Sequence, residues 1–134
     1  MKLDTSSLGN AVQRLREGLA RYEREPGDEQ LRDGLIQRFE FTYELSHRML
    51  KRFLRKIAPS PDDIEGLSFA DLIRAANAQS LLVGDWPAWR RFREMRTRTS
   101  HTCDAKVASE VVAAIPAFLE EVEYFCSKLQ RRNA

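Results

Sequence analysis

The chain has 134 residues, of which 43% are hydrophobic and 31% charged, with a formal net charge of +2. These values predict one globular domain over residues 1–134 and exclude a disordered or polybasic chain. Two cysteines and two histidines, without a Cys-x-x-Cys pair, exclude a disulfide framework and predict no metal site and no cofactor. No apolar signal core or membrane span is evident, so we expect a cytoplasmic protein without membrane contact.

The first apolar pattern predicts an amphipathic helix that ends before Pro26 and Gly27. Residues 4–7 offer several N-capping side chains. The apolar stripe follows the spacing i, i+4, i+7, i+11 and i+14 and consists of Leu8, Val12, Leu15, Leu19 and Tyr22.

A second helix is predicted from about residue 28 to residue 57, with a length of roughly 40–45 Å. Pro59 and Pro61 break the chain after it. Helices of this length are typical of bundles and long hairpins. One apolar seam follows the predicted helix and consists of Leu31, Leu35, Phe39, Thr42, Ser46, Met49, Phe53 and Ile57.

Three further helices are predicted, from about Ser68 to Asn77, Pro87 to Thr97 and Asp104 to Leu129. Pro116 lies inside the last of them, where we expect a kink or a local disruption. No strand-like alternation is present. The sequence therefore predicts an all-α fold, an up-and-down antiparallel bundle of four to five helices.

A candidate site lies where the fourth helix should end. Arg96 and His101 are five residues apart, which on a continuous helix separates them by about 140°. The hydroxyl residues between and after them have low helix propensity, and Asp104 is a suitable N-cap for the next helix. We therefore expect His101 at a helix–helix junction, with Arg96 able to reach back toward it.

A neutral imidazole can take a proton from a ribose 2′-hydroxyl, and an arginine can stabilise charge developing on a phosphate. Such cleavage needs both a base and an acid. The motif provides one histidine per chain, so a two-fold dimer would have to bring two copies of His101 together. The alternative is that His101 only caps a helix or hydrogen-bonds a carbonyl in a structural turn.

Basic residues near the end of the second helix suggest a groove for RNA or a nucleotide. Arg48, Arg52 and Arg55 share one face, and Arg93 belongs to a cluster over residues 90–98. The alternative is a set of solvated charges that complement the helix dipole.

Three other features of the second helix each have two interpretations. Glu40 and Glu44 either orient arginines near the site or serve partner catalysis, or they form ordinary helix salt bridges. Phe41 falls off the apolar seam, which indicates a partner or dimer surface. His47 is expected on the helix surface or at an interface.

Two segments carry a family resemblance: residues 33–45, DGLIQRFEFTYEL, and residues 96–102, RTRTSHT, followed by Asp104. They resemble the nucleotidyltransferase substrate-binding protein family of the HEPN superfamily, which is related to HepT-type toxins. The resemblance extends from about Leu3 to Leu129. It implies a helical homodimer that associates with a minimal nucleotidyltransferase encoded nearby, the two forming a toxin–antitoxin-like module.

By this resemblance Arg96 would bind phosphate and His101 would be the acid–base residue of a metal-independent RNase. Thr97 stands where asparagine is more frequent. Cys103 stands where the family commonly has a tyrosine that the partner modifies with AMP, so that form of regulation is in doubt. Further binding residues are expected around the motif and on the basic surfaces: Thr97, Arg98, Ser100, Cys103, Arg52 and Arg93. The alternative function is a non-catalytic substrate-binding subunit of a two-component nucleotidyltransferase.

Overall fold

A computed structural model describes residues 3–132, and within them the chain forms six α-helices and one 3₁₀ turn, without strands. The bounds are α1 Ser6–Arg24, α2 Glu29–Ile57, α3 Asp62–Glu65, α4 Phe69–Ala78, α5 Trp86–Arg98, the turn Thr99–His101 and α6 Ala105–Arg132. The predicted all-α bundle is confirmed. All five predicted helices are present, and the sixth is the four-residue α3, which is too short to show a repeating apolar pattern.

Local capping explains where the helices begin. The Asp28 carboxylate accepts hydrogen bonds from the backbone N–H groups of Gln30 and Leu31 at 2.9 and 3.1 Å. The predicted cap Ser68 accepts from the Asp71 N–H at 3.1 Å. α5 has proline in its first turn. The caps Asp28 and Ser68 satisfy N–H groups that a helix start would otherwise leave without partners, whereas the proline of α5 removes one such group.

α6 runs through Pro116 as one helix, so the expected local disruption is wrong, while the kink that was the alternative expectation stays a prediction. Pro116 is exposed, so its ring lies outside the core, and its missing N–H leaves one carbonyl of the preceding turn without its usual partner. No helix within residues 3–132 is long and apolar enough to cross a membrane.

The predicted apolar faces form the core. α1 and α2, joined by a short loop, form a hairpin that packs against α6, and α5 packs against both α6 and α2. Phe118 of α6 lies at the centre of an aromatic cluster, with its ring 5.0 Å from Phe39 and 5.3 Å from Phe92. Edge-to-face packing of this kind fixes α2 and α5 on α6 and so fixes the residues that α5 carries.

Candidate functional site

A buried carboxylate holds the first turn of α5 against α6. Glu121 is only 6% exposed, and it accepts hydrogen bonds from the Val83 and Gly84 N–H groups and from Trp89 Nε1, at 3.0–3.1 Å. A Cβ at Gly84 would lie 3.0 Å from that of Ala88, which explains the glycine. We call Val83, Gly84, Trp89 and Glu121 the Glu121 cluster.

Glu121 was not predicted from the sequence, although a signal was available. This residue follows Phe118 by three positions and precedes the buried Val122, so it occupies the apolar face of α6. A charge on such a face needs partners, and buried carboxylates without them are rare. The position therefore indicates a structural acceptor.

Arg96, two turns after Trp89 on α5, contacts α2. Its Nη2 lies within ion-pair distance of Glu44 and 3.5 Å from Glu40, and its Nη1 donates to Thr99 Oγ1 at 3.2 Å. The guanidinium thus binds acidic groups of α2. The sequence had instead suggested that it could reach back toward His101. Of the two interpretations of Glu40 and Glu44, orientation of an arginine agrees with this geometry. We call Arg96, Glu40, Glu44 and Thr99 the Arg96 cluster.

The Arg96 cluster is incompletely satisfied. Arg96 Nε is buried and has no hydrogen-bond partner in the structure. The side chain is 28% exposed, while the side chain of Glu44 is 50% exposed, so solvent and ligands reach the outer part of the cluster. A buried N–H without an acceptor is uncommon, because leaving its hydrogen bond unformed costs free energy. Nε is thus an unsatisfied donor inside the cluster, whereas a ligand can reach only the outer part of the guanidinium.

A series of hydroxyl groups builds the junction between α5 and α6. Thr97, Thr99, Ser100 and Thr102 each donate to a carbonyl three or four residues earlier, at distances of 2.6–3.3 Å. These bonds compete with helix continuation and convert the chain to a 3₁₀ turn. His101 is the last residue of this turn, and its side chain is exposed.

The predicted junction around His101 is therefore present, and Asp104 has the predicted position. Its carboxylate accepts from the Lys106 N–H at 2.9 Å, and its carbonyl accepts from the Ala108 N–H at 3.0 Å, which starts α6. The turn is closed by the bond from the Asp104 N–H to the His101 carbonyl at 3.1 Å. An exposed imidazole on a backbone fixed at both sides is suited to proton transfer.

The other predicted binding residues are distributed around this turn. Arg98 forms an ion pair with Glu110 of α6. Ser100 and Cys103 are exposed, and Cys103 is a free thiol. Thr97 is exposed but bonded to the carbonyl of Arg93. Arg93 lies on the neighbouring face of α5, with its guanidinium carbon 5.3 Å from the Phe69 ring centre.

Arg52 is not brought to the turn. It lies on α2 eight residues beyond Glu44, about 12 Å along the helix axis. Near it, Lys51 and Arg55 pair with Glu65 of α3, at 3.6 and 2.9 Å. α3 thus neutralises part of the basic end of α2 that the sequence suggested as one wall of a groove.

His47 packs beside the Arg93 side of α5, and its ring centre is 4.7 Å from that of Phe69. Burial lowers the pKa of His47, and the charges of Lys51 and Arg93 act in the same direction. Nearby, burial raises the pKa of Tyr43 to about 12. His47 is therefore a half-buried packing residue of α2, rather than a second exposed imidazole.

Phe41 is 59% exposed, as its position off the seam had predicted. It borders a groove of about 600 Å³ between α1 and α2, which Asn10, Arg14 and Arg38 also line. The groove lies on the α1 side of α2.

A family model described as nucleotidyltransferase substrate binding protein like matches residues 3–131. A Haemophilus influenzae protein named "Probable ribonuclease HepT" is 44% identical over 100 residues, which cover 75% of this chain and 68% of that protein. The 100 aligned residues are too many for the similarity to depend on the Arg96–His101 motif alone.

Solved structures are also similar to this chain, among them the following two. One, from Haemophilus influenzae, is described as the substrate-binding domain of a nucleotidyltransferase; it is 34% identical with a TM-score of 0.88, covering 95% of this chain and 99% of that one. The other, from Thermus thermophilus, is 26% identical with a TM-score of 0.63, covering 86% and 98%. Fold, sequence and family model agree, and the chain belongs to the nucleotidyltransferase substrate-binding protein-like family.

Proposed function

We propose that this chain is a HEPN-type partner subunit of a minimal nucleotidyltransferase in a toxin–antitoxin-like module, and that it cleaves RNA without a metal ion. The observation that carries the proposal is the exposed His101 imidazole on a fixed turn, five residues after an arginine that is oriented by its neighbours. The relative named "Probable ribonuclease HepT" supports the same activity.

In the proposed reaction, neutral His101 removes the proton from a ribose 2′-hydroxyl, and the resulting oxygen attacks the adjacent phosphorus. The bond from phosphorus to the 5′-oxygen breaks, and that oxygen takes a proton from a second histidine that is protonated, an imidazolium, and becomes neutral as it donates. The products are a 2′,3′-cyclic phosphate and a 5′-hydroxyl. Arg96 stabilises the negative charge that builds on the phosphate oxygens.

The acid and the base must come from two chains. His47, the other histidine, is half-buried against Phe69, so it does not serve this site. A homodimer that brings two copies of His101 together provides one imidazole for each proton transfer. Homodimerisation is therefore part of the proposed mechanism, and RNA is its substrate.

A phosphate at Arg96 must share the guanidinium with Glu40 and Glu44. The two carboxylates hold the arginine on α2 when RNA is absent, so that its rotamer is largely fixed before binding. The unpartnered Nε is buried, so a phosphate would bind at the terminal nitrogens of the guanidinium. The exposed ion pair itself is weak enough for a phosphate to compete with it.

The test uses the purified chain, RNAs of varied sequence and EDTA throughout. Wild type should give 2′,3′-cyclic phosphate ends, and His101→Ala should lose cleavage. His47→Gln is the matched control, because it removes the other histidine and should cleave normally. Absence of cleavage in wild type over all RNAs, with the fold intact, would contradict the proposal.

One observation favours a second candidate, the non-catalytic substrate-binding subunit. Two carboxylates and Thr99 already occupy the terminal nitrogens of Arg96, which is the state expected of a structural ion pair. The Haemophilus structure described as a substrate-binding domain supports this candidate. Under it, a minimal nucleotidyltransferase encoded nearby would perform the chemistry, and its activity would depend on this chain but not on His101.

A further inference from the structure

A basic pocket lies on the face of α5 that neighbours the Arg96 cluster. Its volume is about 490 Å³, and it is lined by Trp86, Arg90, Arg93, Glu94, Thr97 and Arg98. Most of these positions follow the spacing i, i+4, i+7, i+8 and i+11, which places them on one side of a helix. The pocket is thus formed along a single helix face and is open to solvent.

The charges of this pocket are not fully compensated. Arg90 pairs with Glu94 at 3.2 Å, and both side chains are more than half exposed. Arg98 pairs with Glu110 of α6. Within residues 3–132, Arg93 has no carboxylate partner and lies instead over the Phe69 ring. Three arginines therefore face one lining carboxylate, and Arg93 is held in place without losing its charge.

Trp86 provides an aromatic surface beside these arginines. It is half-buried, and its ring packs edge-to-face with Phe69 at 5.7 Å, which restricts its movement. The second tryptophan, Trp89, is completely buried and unavailable to ligands. An accessible indole next to arginines combines base stacking with phosphate binding, the pattern by which proteins hold single-stranded nucleic acids.

The pocket adjoins the turn that carries His101. Thr97 and Arg98, which line one end of it, directly precede the 3₁₀ turn Thr99–His101. From Trp86 to Thr97 the helix rises about 16 Å, so the opposite end lies well away from His101. A strand with one phosphate near His101 can therefore place a nucleotide that lies a few positions further along in the pocket.

We infer that this pocket binds an unpaired nucleotide of single-stranded RNA a few positions along the strand from the cleaved phosphate, with the base against Trp86 and the phosphates on Arg90 and Arg93. The placement relative to a cleaved position rests on the proposed RNase function, whereas binding itself does not. A duplex fits less well, because its bases are stacked on one another and do not reach an aromatic side chain.

The first test measures binding of a fluorescein-labelled single-stranded RNA to the full chain in a His101→Ala background, at several salt concentrations. Arg90→Gln with Arg93→Gln should weaken binding at least about tenfold and reduce the salt slope by about 1.4, since two phosphate contacts are lost. The matched control is Arg21→Gln with Arg24→Gln, which removes the same charge from α1, a helix that packs on α2 and α6. Equal affinity in the two double variants would overturn the inference.

The second test uses tryptophan fluorescence. RNA should quench Trp86, and Trp86→Phe should abolish the quenching while it leaves the buried Trp89 emission and the thermal unfolding curve in place. Quenching that survives in Trp86→Phe would overturn the stacking assignment. Equal quenching by AMP at the same concentration would also overturn the inference, because the pocket would then be a mononucleotide site.

These outcomes separate the inference from the proposed function. If wild type cleaves no RNA but the Arg90 and Arg93 substitutions still weaken binding, the pocket stands and the RNase proposal is wrong. If Arg90→Gln with Arg93→Gln cleaves and binds like wild type, the RNase proposal stands and the pocket assignment is wrong.

Discussion

The Glu121 cluster and the Arg96 cluster hold the two ends of α5, and they differ in burial and in completeness. Glu121 is buried, and the N–H groups of Val83, Gly84 and Trp89 all donate hydrogen bonds to its carboxylate. Arg96 is partly open to solvent, its carboxylate partners are exposed, and its Nε has no partner. A buried and satisfied carboxylate stabilises the fold, whereas an accessible and incompletely bonded arginine is suited to bind something else.

The largest expected effect is on stability, at the Glu121 cluster. Glu121→Ala should lower the free energy of unfolding by about 3–5 kcal/mol, because it leaves three donors without an acceptor. Glu121→Gln keeps one acceptor oxygen and should lose clearly less. Urea denaturation measures both. A loss below about 1 kcal/mol for the alanine variant would show that the two clusters do not differ as described.

The next effect is on activity, at the Arg96 cluster. Arg96→Ala should reduce RNA cleavage by about 10²–10³-fold, because a donor to the transition-state charge is lost. The free energy of unfolding should fall by less than about 1 kcal/mol, as is usual for an exposed ion pair. Arg91→Ala, an exposed arginine of the same helix outside the cluster, is the control in a single-turnover assay. A stability loss like that of Glu121→Ala would make Arg96 a structural residue.

A smaller effect is expected for the carboxylate that contacts Arg96. Glu44→Gln should tighten RNA binding about two- to fivefold, because the phosphate no longer competes with a charged group for the guanidinium. Glu40→Gln, whose oxygen is 3.5 Å away, should have a weaker effect in the same binding titration. Weaker RNA binding in Glu44→Gln would instead mean that orientation of Arg96 outweighs competition.

The smallest effect concerns pH and His47, which lies one turn after Glu44. Burial, with Lys51 and Arg93 nearby, lowers the pKa of His47 in the folded chain below its ordinary value of 6.5. The unfolded chain therefore binds the proton first as the pH falls. The stability that neutral His47 contributes to the fold is fully present above pH 6.5. It is lost as the pH falls toward the pKa of His47 in the folded chain. His47→Gln should flatten this part of the stability curve, measured by urea denaturation from pH 7.5 to 5; an unchanged slope would contradict the assignment.

Apolar periodicity predicted most of the fold, because the residues that repeat along a helix face are those that become buried. The stripes of α1, α2 and α6 are nearly all in the core, from Leu8 to Leu129. At the margins the periodicity failed: Ile57, at the end of the α2 seam, is 39% exposed. The short α3 was missed because four residues are too short a segment to show a repeating pattern.

The sequence predicted the local structure around the site but not which residues contact one another there. Low helix propensity around Thr99 predicted the turn, and Asp104 predicted the start of α6. The contact between Arg96 and Glu44 depends on how α5 crosses α2, which periodicity within either helix does not contain. The same holds for Glu121, whose partners lie about 40 residues earlier in the chain.

The hydrogen bond from Trp89 to Glu121 has a consequence for the spacing along α5. Trp89 and Arg96 are seven residues apart, which is close to two turns, so both point inward with an offset of only about 20°. With the start of α5 anchored on α6, each residue inserted between them would rotate Arg96 by about 100° and shift it by about 1.5 Å. One inserted residue would turn the guanidinium away from Glu44 without changing any side chain of either cluster. The phase of α5 is thus a constraint on the site in its own right, independent of which residues the site contains.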